Sequence, residues 1–505
     1  DYSSTGTNTG ASWTNAYTTL QPALNAASAG DNIWIAAGTY NPTHLPSTGD
    51  TSTTSRDVSF YLDTDIEIYG GFAGTETAIS QRNSTSNPVI LSGDINAGGT
   101  ATNDCYHVFI TEGLSSAAVL DGVTITGGKA NGSSGITYSG QTHYRSSGGG
   151  MRNHGSSPTL TDVTISGNLA TTGGGMYNRS SSPTLTDVTI SGNTATNGGG
   201  MYNTLASSSP TLTNVTISGN TAASNGGGMY NSSSSPTLTD VTISGNTSSA
   251  YGGGMYNKSS SPTLTDVTIS GNTATNGGGI FNRLSSSPTL TDVTISGNTA
   301  TYGGGMYNTS SPTLTRVTIS GNTANTSGGG MYNSSSSSPT LTDVTIDSNT
   351  ATYGGGIYNT SSSPTLTNVT ISGNTASANG GGMSNYSSSS PTLTGVIISG
   401  NTANTSGGGM YNNTSSSPTL ANVTISGNSA TYGGGIYNYL SSPTLTHVTI
   451  SENTATYGGG MNNNNTSSPT LTNVTISGNT ATYGGGMYNN NTSSPTLTNV
   501  TISGN

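Results

Sequence analysis

Charged side chains are nearly missing from this sequence: Lys and Arg number 9, Asp and Glu 20, and together they make up 6% of 505 residues. With a formal net charge of −11 the chain offers no basic surface to a phosphate backbone, which excludes nucleic acid as a partner. A single cysteine, Cys105, excludes a disulfide framework and a thiolate metal cluster. No run of about 18 apolar residues occurs, so no helix of this sequence spans a bilayer. No charged segment followed by an apolar one opens the chain, which reads as a soluble, mature or trimmed product. Hydrophobic residues are also scarce, at 29%, against roughly 45–50% in ordinary globular domains. A conventional enzyme core is not on offer.

What the sequence does have is glycine, 74 residues of it, and repetition. Ser-Pro-Thr-Leu recurs fourteen times, with Pro from 158 to 495 at a mean spacing of about 26 residues. The unit reads S-P-T-L-T-D-V-T-I-S-G-N-T-A-x-x-G-G-G-M-Y-N, followed by a Ser, Thr and Asn-rich loop. Insertions fall only before the triple Gly and after Tyr-Asn, so short fixed segments alternate with two variable loops. Leu160, Val163 and Ile165 show the period of two of a strand, and helical periodicity is absent from the repeats. Segments of three to five residues closed by Gly, Asn and Ser-Pro cannot bury a core singly, so the units must stack. The sequence therefore predicts an all-β fold: a parallel β-helix, or solenoid, of about 26-residue, three-strand rungs spaced about 4.8 Å apart.

In such a stack Leu160, Val163, Ile165, Asn168, Ala170, Met176 and their equivalents face inward. All 11 Met residues occupy the last of these columns, alternating only with Ile280, Ile357 and Ile436. Met reads as an unbranched filler of a narrow core. The column Asn168, Asn193, Asn220, Asn246, Asn272, Asn298 and onward to Asn505 is unbroken and reads as a structural amide ladder. The Gly before the Asn, interrupted only by Ser348 and Glu452, supplies a positive φ. The triple Gly is no phosphate loop, since no Lys-Ser/Thr and helix follow it.

The I-S-G-N-T-A and G-G-G-M-Y segments resemble the GGA(I/L/V) and FxxN repeats of the polymorphic outer-membrane protein family, with Ile165 and its equivalents in place of the Phe. Residues 13–43, with Leu20-Gln21-Pro22-Ala23-Leu24 and Gly30-Asp31-Asn32-Ile33-Trp34-Ile35, are similar to the start of pectin-lyase-like β-helix surface proteins. So are Gly70-Gly71-Phe72, Leu91-Ser92-Gly93-Asp94 and residues 120–128. The resemblance implies a right-handed, extracellular or surface-displayed bacterial β-helix, commonly an adhesin or a stalk, and transfers no catalytic residue.

Residues 1–147 differ from the array at 148–505, which holds about 14 rungs. They carry both Trp, Cys105 and 12 of the 20 acidic residues. Residues 16–29 predict a short amphipathic helix with Leu20, Ala23, Leu24 and Ala27 on one face, an N-terminal cap on the solenoid. Residues 33–40, 60–62, 66–72, 89–91, 107–111 and 119–126 read as irregular first rungs. The last rung stops at Asn505 as an unpaired edge, which predicts a continuing chain or a covering subunit.

Candidate sites are few, and no catalytic residue is assigned. Tyr177, Tyr202, Tyr230, Tyr256, Tyr307, Tyr332, Tyr358, Tyr411, Tyr437 and Tyr488, with Phe281 once, predict an outward, exposed aromatic stripe. It would serve as a stabilising stack, a glycan platform or a lateral interface. The sequons at Asn231, Asn257, Asn308 and Asn359 fall in loops expected to be exposed and are candidate glycosylation sites. Along the acidic column, Arg316 between Asp292 and Asp343 reads as relief of like-charge repulsion. No cofactor is expected; Ca²⁺ between Asp240, Asp266 and Asp292 is the alternative. Asp94, Asp104, His107, His143, Arg145, Arg152 and His154 form the densest polar set, and its histidines read as surface residues. The Thr-x-Thr columns resemble the ice-binding face of insect antifreeze proteins, though Thr is also a good outward strand residue. Together these readings predict a non-enzymatic, secreted or cell-surface structural or adhesive rod. It would self-associate end to end or laterally, into a filament or sheath. A polysaccharide-binding or polysaccharide-cleaving β-helix and an ice-binding protein are the alternatives.

Overall fold

A computed structural model of the chain describes residues 4–52, 54–95, 103–138 and 140–505. It is an all-β parallel solenoid with about 14 regular rungs of about 26 residues and, among the described residues, one short α-helix. The chain divides into two compact units, residues 1–249 with 254–256, and residues 250–253 with 257–505.

In the first unit three parallel sheets run from the N-terminal segment into the repeats. One passes from Asn32–Ala36 through Glu67–Phe72 and Val119–Asp121 to Thr159–Thr161 and its Thr-Leu-Thr equivalents. A second passes from Gly38–Tyr40 through Val89–Ser92 and Val123–Thr126 to the Thr-Ile-Ser strands. The third passes from Phe60–Leu62 through Phe109–Glu112 to Met151–His154 and Met176–Arg179. Pairing thus crosses the change to regular repeats near residue 147 without a break. The second unit repeats the same three columns in register, as in Leu264↔Leu290↔Leu314 and Ile269↔Ile295↔Ile319. A fourth, broken column follows the Asn ladder, as in Thr194–Asn197 paired with Thr221–Asn225.

The interior is built from identical layers. Leu160, Ile165 and Met176 are 0% exposed, and Val163 and Ala170 are buried beside them. Side chains that alternate in and out along three short strands leave one Leu, one Ile and one Met, or Ile in its place, per rung to meet their equivalents above and below. The bend between the first two sheets falls on Asp162, Asp187, Asn214, Asp240 and their equivalents, with φ between 51° and 56° at every non-Gly member and 64° at Gly395. Gly122 (φ 72°) takes this place in the irregular rungs and splits the predicted 119–126 strand in two.

The predicted N-terminal helix is present but shorter, Leu20–Ala26. Pro22 stands in its first turn, where no N–H is needed, and an earlier start would set its ring against a helical carbonyl. Leu20, Gln21 and Leu24 are buried. Gln21 does what a neighbouring strand would do. Its Nε2 donates to Tyr61 O at 3.2 Å and its Oε1 accepts from Tyr61 N at 2.9 Å, pairing with Phe60–Leu62, the first strand of its sheet. The side-chain amide so satisfies backbone groups that an open edge would leave free. Gln21→Ala is expected to cost roughly 1–3 kcal/mol, the price of an unmet buried group. Faster hydrogen exchange at the Tyr61 amide and a lower unfolding midpoint would report it.

Candidate functional site

The predicted Asn ladder is continuous within each unit. Asn193 Oδ1 accepts from Asn168 N and Asn168 Nδ2, both at 3.0 Å, while Asn193 Nδ2 donates to Ile165 O at 2.9 Å. Asn298, Asn322 and Asn349 repeat the pattern in the second unit. Each side chain therefore serves the rungs on either side of it. A second ladder was missed by the sequence reading. Asn153, Asn178, Asn203 and Asn231 link Nδ2 to Oδ1 at 2.7–2.8 Å, as do Asn282, Asn308, Asn333 and Asn359 at 2.9 Å. The signal was there: with Met inward and Tyr outward, the next residue must point inward.

That second ladder corrects the glycosylation sites. Asn231, Asn257, Asn308 and Asn359 are each 0% exposed. The nitrogen that would carry the sugar is bonded to the next amide, as in Asn257 Nδ2 to Asn282 Oδ1 at 2.9 Å.

The Tyr stripe points away from the lumen, but it is not an exposed array. Tyr230, Tyr256, Phe281 and Tyr437 are buried, and the other members are half-buried. Ring centroids lie 4.6–5.6 Å apart along the stack, as in Tyr177–Tyr202, Tyr202–Tyr230 and Tyr307–Tyr332. In-register strands bring identical rings to stacking distance, so much of their surface is spent on one another. Burial, and then the neighbouring tyrosines, pushes the Tyr358 and Tyr411 phenols up to about 12. Ser384 and Asn462 interrupt the column. A second aromatic column stands beside it at the residue before the triple Gly. Its members Tyr353, Tyr432 and Tyr483 are 39%, 38% and 52% exposed, and Tyr432, Tyr457 and Tyr483 stack at 5.2 and 4.9 Å.

The acidic column is a conformational column. Its residues are mostly Asp and Asn, with Gly395 and His447, because those types tolerate left-handed backbone. Arg316 adopts it too (φ 53°), and both oxygens of Asp292 accept from its guanidinium at 2.7 Å. The Ca²⁺ alternative at Asp240, Asp266 and Asp292 meets the finding that, among the described residues, no three His, Cys, Asp or Glu converge to hold a metal. The Thr columns lie in register on the outer faces, as in Thr159↔Thr184 and Thr164↔Thr189. Ile397, exposed in one of them, interrupts the hydroxyl row.

The polar set of the first unit separates into two groups. Around Tyr106, Arg145 donates to both oxygens of Asp57 at 2.6 and 2.8 Å. Arg56 lies over the Tyr106 ring at 4.1 Å and donates to Asp104 O at 2.7 Å. Asp94, whose backbone carbonyl accepts from Asn41 Nδ2 at 2.5 Å, lies near enough to Asp104 for the two charges to repel. His107 is buried, its Nδ1 2.8 Å from Gly148 O. Cys105 is buried as well, and burial pushes its thiol up, away from the reactive thiolate.

The second group lies under an antiparallel hairpin, Gly135–Tyr138 with Gln141–Tyr144. His143 and Arg152 are both 0% exposed, which corrects the surface reading of that histidine. Glu112 stands 3.0 Å from His143 Nε2 and from His154 Nδ1. The His143 contact is off the N–H axis and leaves both atoms without an aligned hydrogen bond. Arg152 Nε donates to His143 Nδ1 at 3.3 Å, which puts the proton of the neutral ring on Nε2. Tyr138 stacks on the same ring at 3.8 Å. Burial, and then the Arg152 charge, lowers the His143 pKa to about 3. Burial followed by Arg152 does the same to His107. Because the folded pKa lies below the ordinary 6.5, the unfolded chain binds the proton first. Stability is complete above pH 6.5 and falls toward pH 3, by about 1.4 kcal/mol per pH unit for each histidine. Acidification to pH 4 is expected to release the hairpin, read as protease cleavage within residues 131–147, and His143→Phe is expected to reduce that pH dependence.

Residues 229–403, about a third of the chain, match the family described as the right-handed beta helix region. The fold is a right-handed parallel β-helix. Residues 422–439 match the Chlamydia polymorphic membrane protein repeat. Among solved structures, this β-helix is similar to the pectate lyase Pel9A at 12% identity, over 72% of this chain and 76% of that one, with a TM-score of 0.38. It is similar also to PfbA, a surface adhesin of Streptococcus pneumoniae, at 11% identity over 96% and 89%, with a TM-score of 0.18. No match was found among curated proteins. Among the described residues, no helix is long and apolar enough to cross a membrane.

Proposed function

We propose that this β-helix is displayed on a cell surface, where it acts as a structural or adhesive element and not as an enzyme. The observation that carries the reading is how the repeats spend their polar residues. Both Asn ladders, the left-handed Asp and Asn column and the stacked tyrosines serve the adjacent rung of the same unit. The Ser column does so too, as in Ser156 N to Ser181 Oγ at 3.0 Å. The repeat surface that remains is chiefly hydroxyl-bearing and uncharged. The match to the polymorphic membrane protein repeat supports a place at the cell envelope.

Antibody labelling of intact producing cells tests the location, with labelling expected before permeabilisation. Excision of residues 313–339 tests the role, because it joins Pro312 to Thr340 and removes one whole rung in register. The shortened chain is expected to fold, reach the surface and retain binding to host or neighbouring cells. Label confined to permeabilised cells, or release of oligosaccharide from a uronate polymer by the purified protein, would overturn the proposal.

A further inference from the structure

Between the N-terminal cap and the first strand of the first unit lies an open cavity of about 660 Å³, within the roughly 300–1,000 Å³ typical of small-molecule sites. Trp13, Tyr17 and Leu20 line it from the cap side, and Ile33 and Trp34 from the strand. Both indoles are held in place. Phe72 stacks on Trp34 at 4.8 Å with the planes 5° apart, and Trp13 Nε1 donates to Glu76 O at 2.9 Å. Asp31 and Glu76 stand in the lining, which includes no Lys, Arg or His. The Glu76 carboxylate accepts from the backbone N–H of Ala73, Gly74 and Thr75 at 2.7–3.0 Å. Partial burial opposes its ionisation, but those donors outweigh it and hold the carboxyl below its usual range.

We infer that this cavity binds an amino sugar, with a pyranose face against the indoles and its ammonium group toward Asp31 and Glu76. A sugar ring offers what the lining asks for: an apolar C–H face for the aromatic wall and a perimeter of donors and acceptors for the hydroxyl and amide groups beside it. The two carboxylates select among sugars. An ammonium pairs with them and gains further from the indole faces, whereas a uronate is repelled. The assignment does not depend on where the protein is displayed, because the cavity is complete within the first unit.

The chain has only two tryptophans, and both line this cavity, so the indole fluorescence of the full-length protein reports on it alone. Titration with glucosamine oligomers is expected to give a saturable change. Trp34→Phe, which keeps a ring for Phe72 to stack on, is expected to weaken binding about three- to ten-fold, with Trp13 as the remaining reporter. Asp31→Asn, at an exposed position and with an oxygen kept to accept from Ser28 N as Asp31 Oδ2 does at 2.8 Å, is expected to weaken it about two- to five-fold. The inference is overturned by the absence of a saturable change, by equal affinity for neutral glucose oligomers or galacturonate oligomers, or by Asp31→Asn binding as well as the wild type.

Discussion

Asn322→Asp is expected to open the stack at one rung. Asn322 Oδ1 accepts from Asn298 N and Asn298 Nδ2, both at 2.9 Å. Its Nδ2 donates to Ile295 O at 2.9 Å and to Asn349 Oδ1 at 3.0 Å. Aspartate has the same shape and no N–H, so two buried acceptors would then face a third with no proton between them. Burying the charge adds to the cost, and a protonated carboxyl could donate to only one of the two. Asn322→Ala fails differently, leaving Asn298 N unmet and Asn298 Nδ2 with only its bond to Ile269 O, at about 1–3 kcal/mol for each lost partner. Either change is expected to cost about 3 kcal/mol or more. Asn404→Ala, at an exposed position, is expected to stay within about 0.5 kcal/mol. Because a solenoid's stability is a sum over adjacent rungs, the loss is local. Hydrogen exchange should accelerate first around residues 295–349, and the denaturant midpoint should fall with it.

The columns that were legible in the sequence are those whose period is set by the strand alone. Leu160, Val163, Ile165, Ala170 and Met176 lie in the lumen because alternation and rung length leave no other register. Asn168 was legible for the same reason, since an amide at a closed bend repeated fourteen times must bond along the stack. The residues that were misread each carry two signals. Asn308 completes a sequon, yet it also follows Met306 by two, and the inward register prevails because a buried amide needs its neighbour. Asp162 and Asp240 have a charge and a tolerance of positive φ, and the repeat selects the tolerance, as Gly122 and Gly395 in equivalent places show. Tyr307 points outward as alternation requires, but a rung spacing of about 4.8 Å is also ring-stacking distance, so outward is not exposed.

What was not legible is non-local. Gln21 meets Tyr61 and Glu112 meets His143 across 40 and 31 positions without a repeat to set the distance. The amino-sugar cavity likewise joins residues 13, 34 and 76, which no spacing rule connects.

Gly329→Ala is expected to disrupt the stack as severely as the loss of an ladder amide, although it adds a single methyl group. A Cβ at Gly329 would overlap Gly355 O and stand 2.6 Å from Thr350 O and 2.8 Å from Thr350 N. All three are backbone atoms, so no rotamer change relieves the contact, and the adjacent rungs must part along their hydrogen-bonded edge. Overpacking of this kind costs typically 1–3 kcal/mol and sometimes more, and here ~3 kcal/mol or more is expected because the obstacle is the backbone ladder itself. Gly321 is the informative contrast. Its φ is 62°, but a Cβ there meets nothing closer than Gly297 N at 4.0 Å. Gly321→Ala therefore incurs only left-handed strain, about 1–2 kcal/mol. The chain has already made that exchange twice, at Ser348 (φ 55°) and Glu452 (φ 59°), which occupy the equivalent position in other rungs. No rung from Gly173-Gly174-Gly175 onward replaces the middle Gly of its triplet. Thermal or denaturant unfolding of the two variants side by side separates the causes. A larger loss at Gly329 than at Gly321 means that close approach between rungs, and not φ, fixes the triple glycine, whereas equal losses would return the motif to backbone conformation alone.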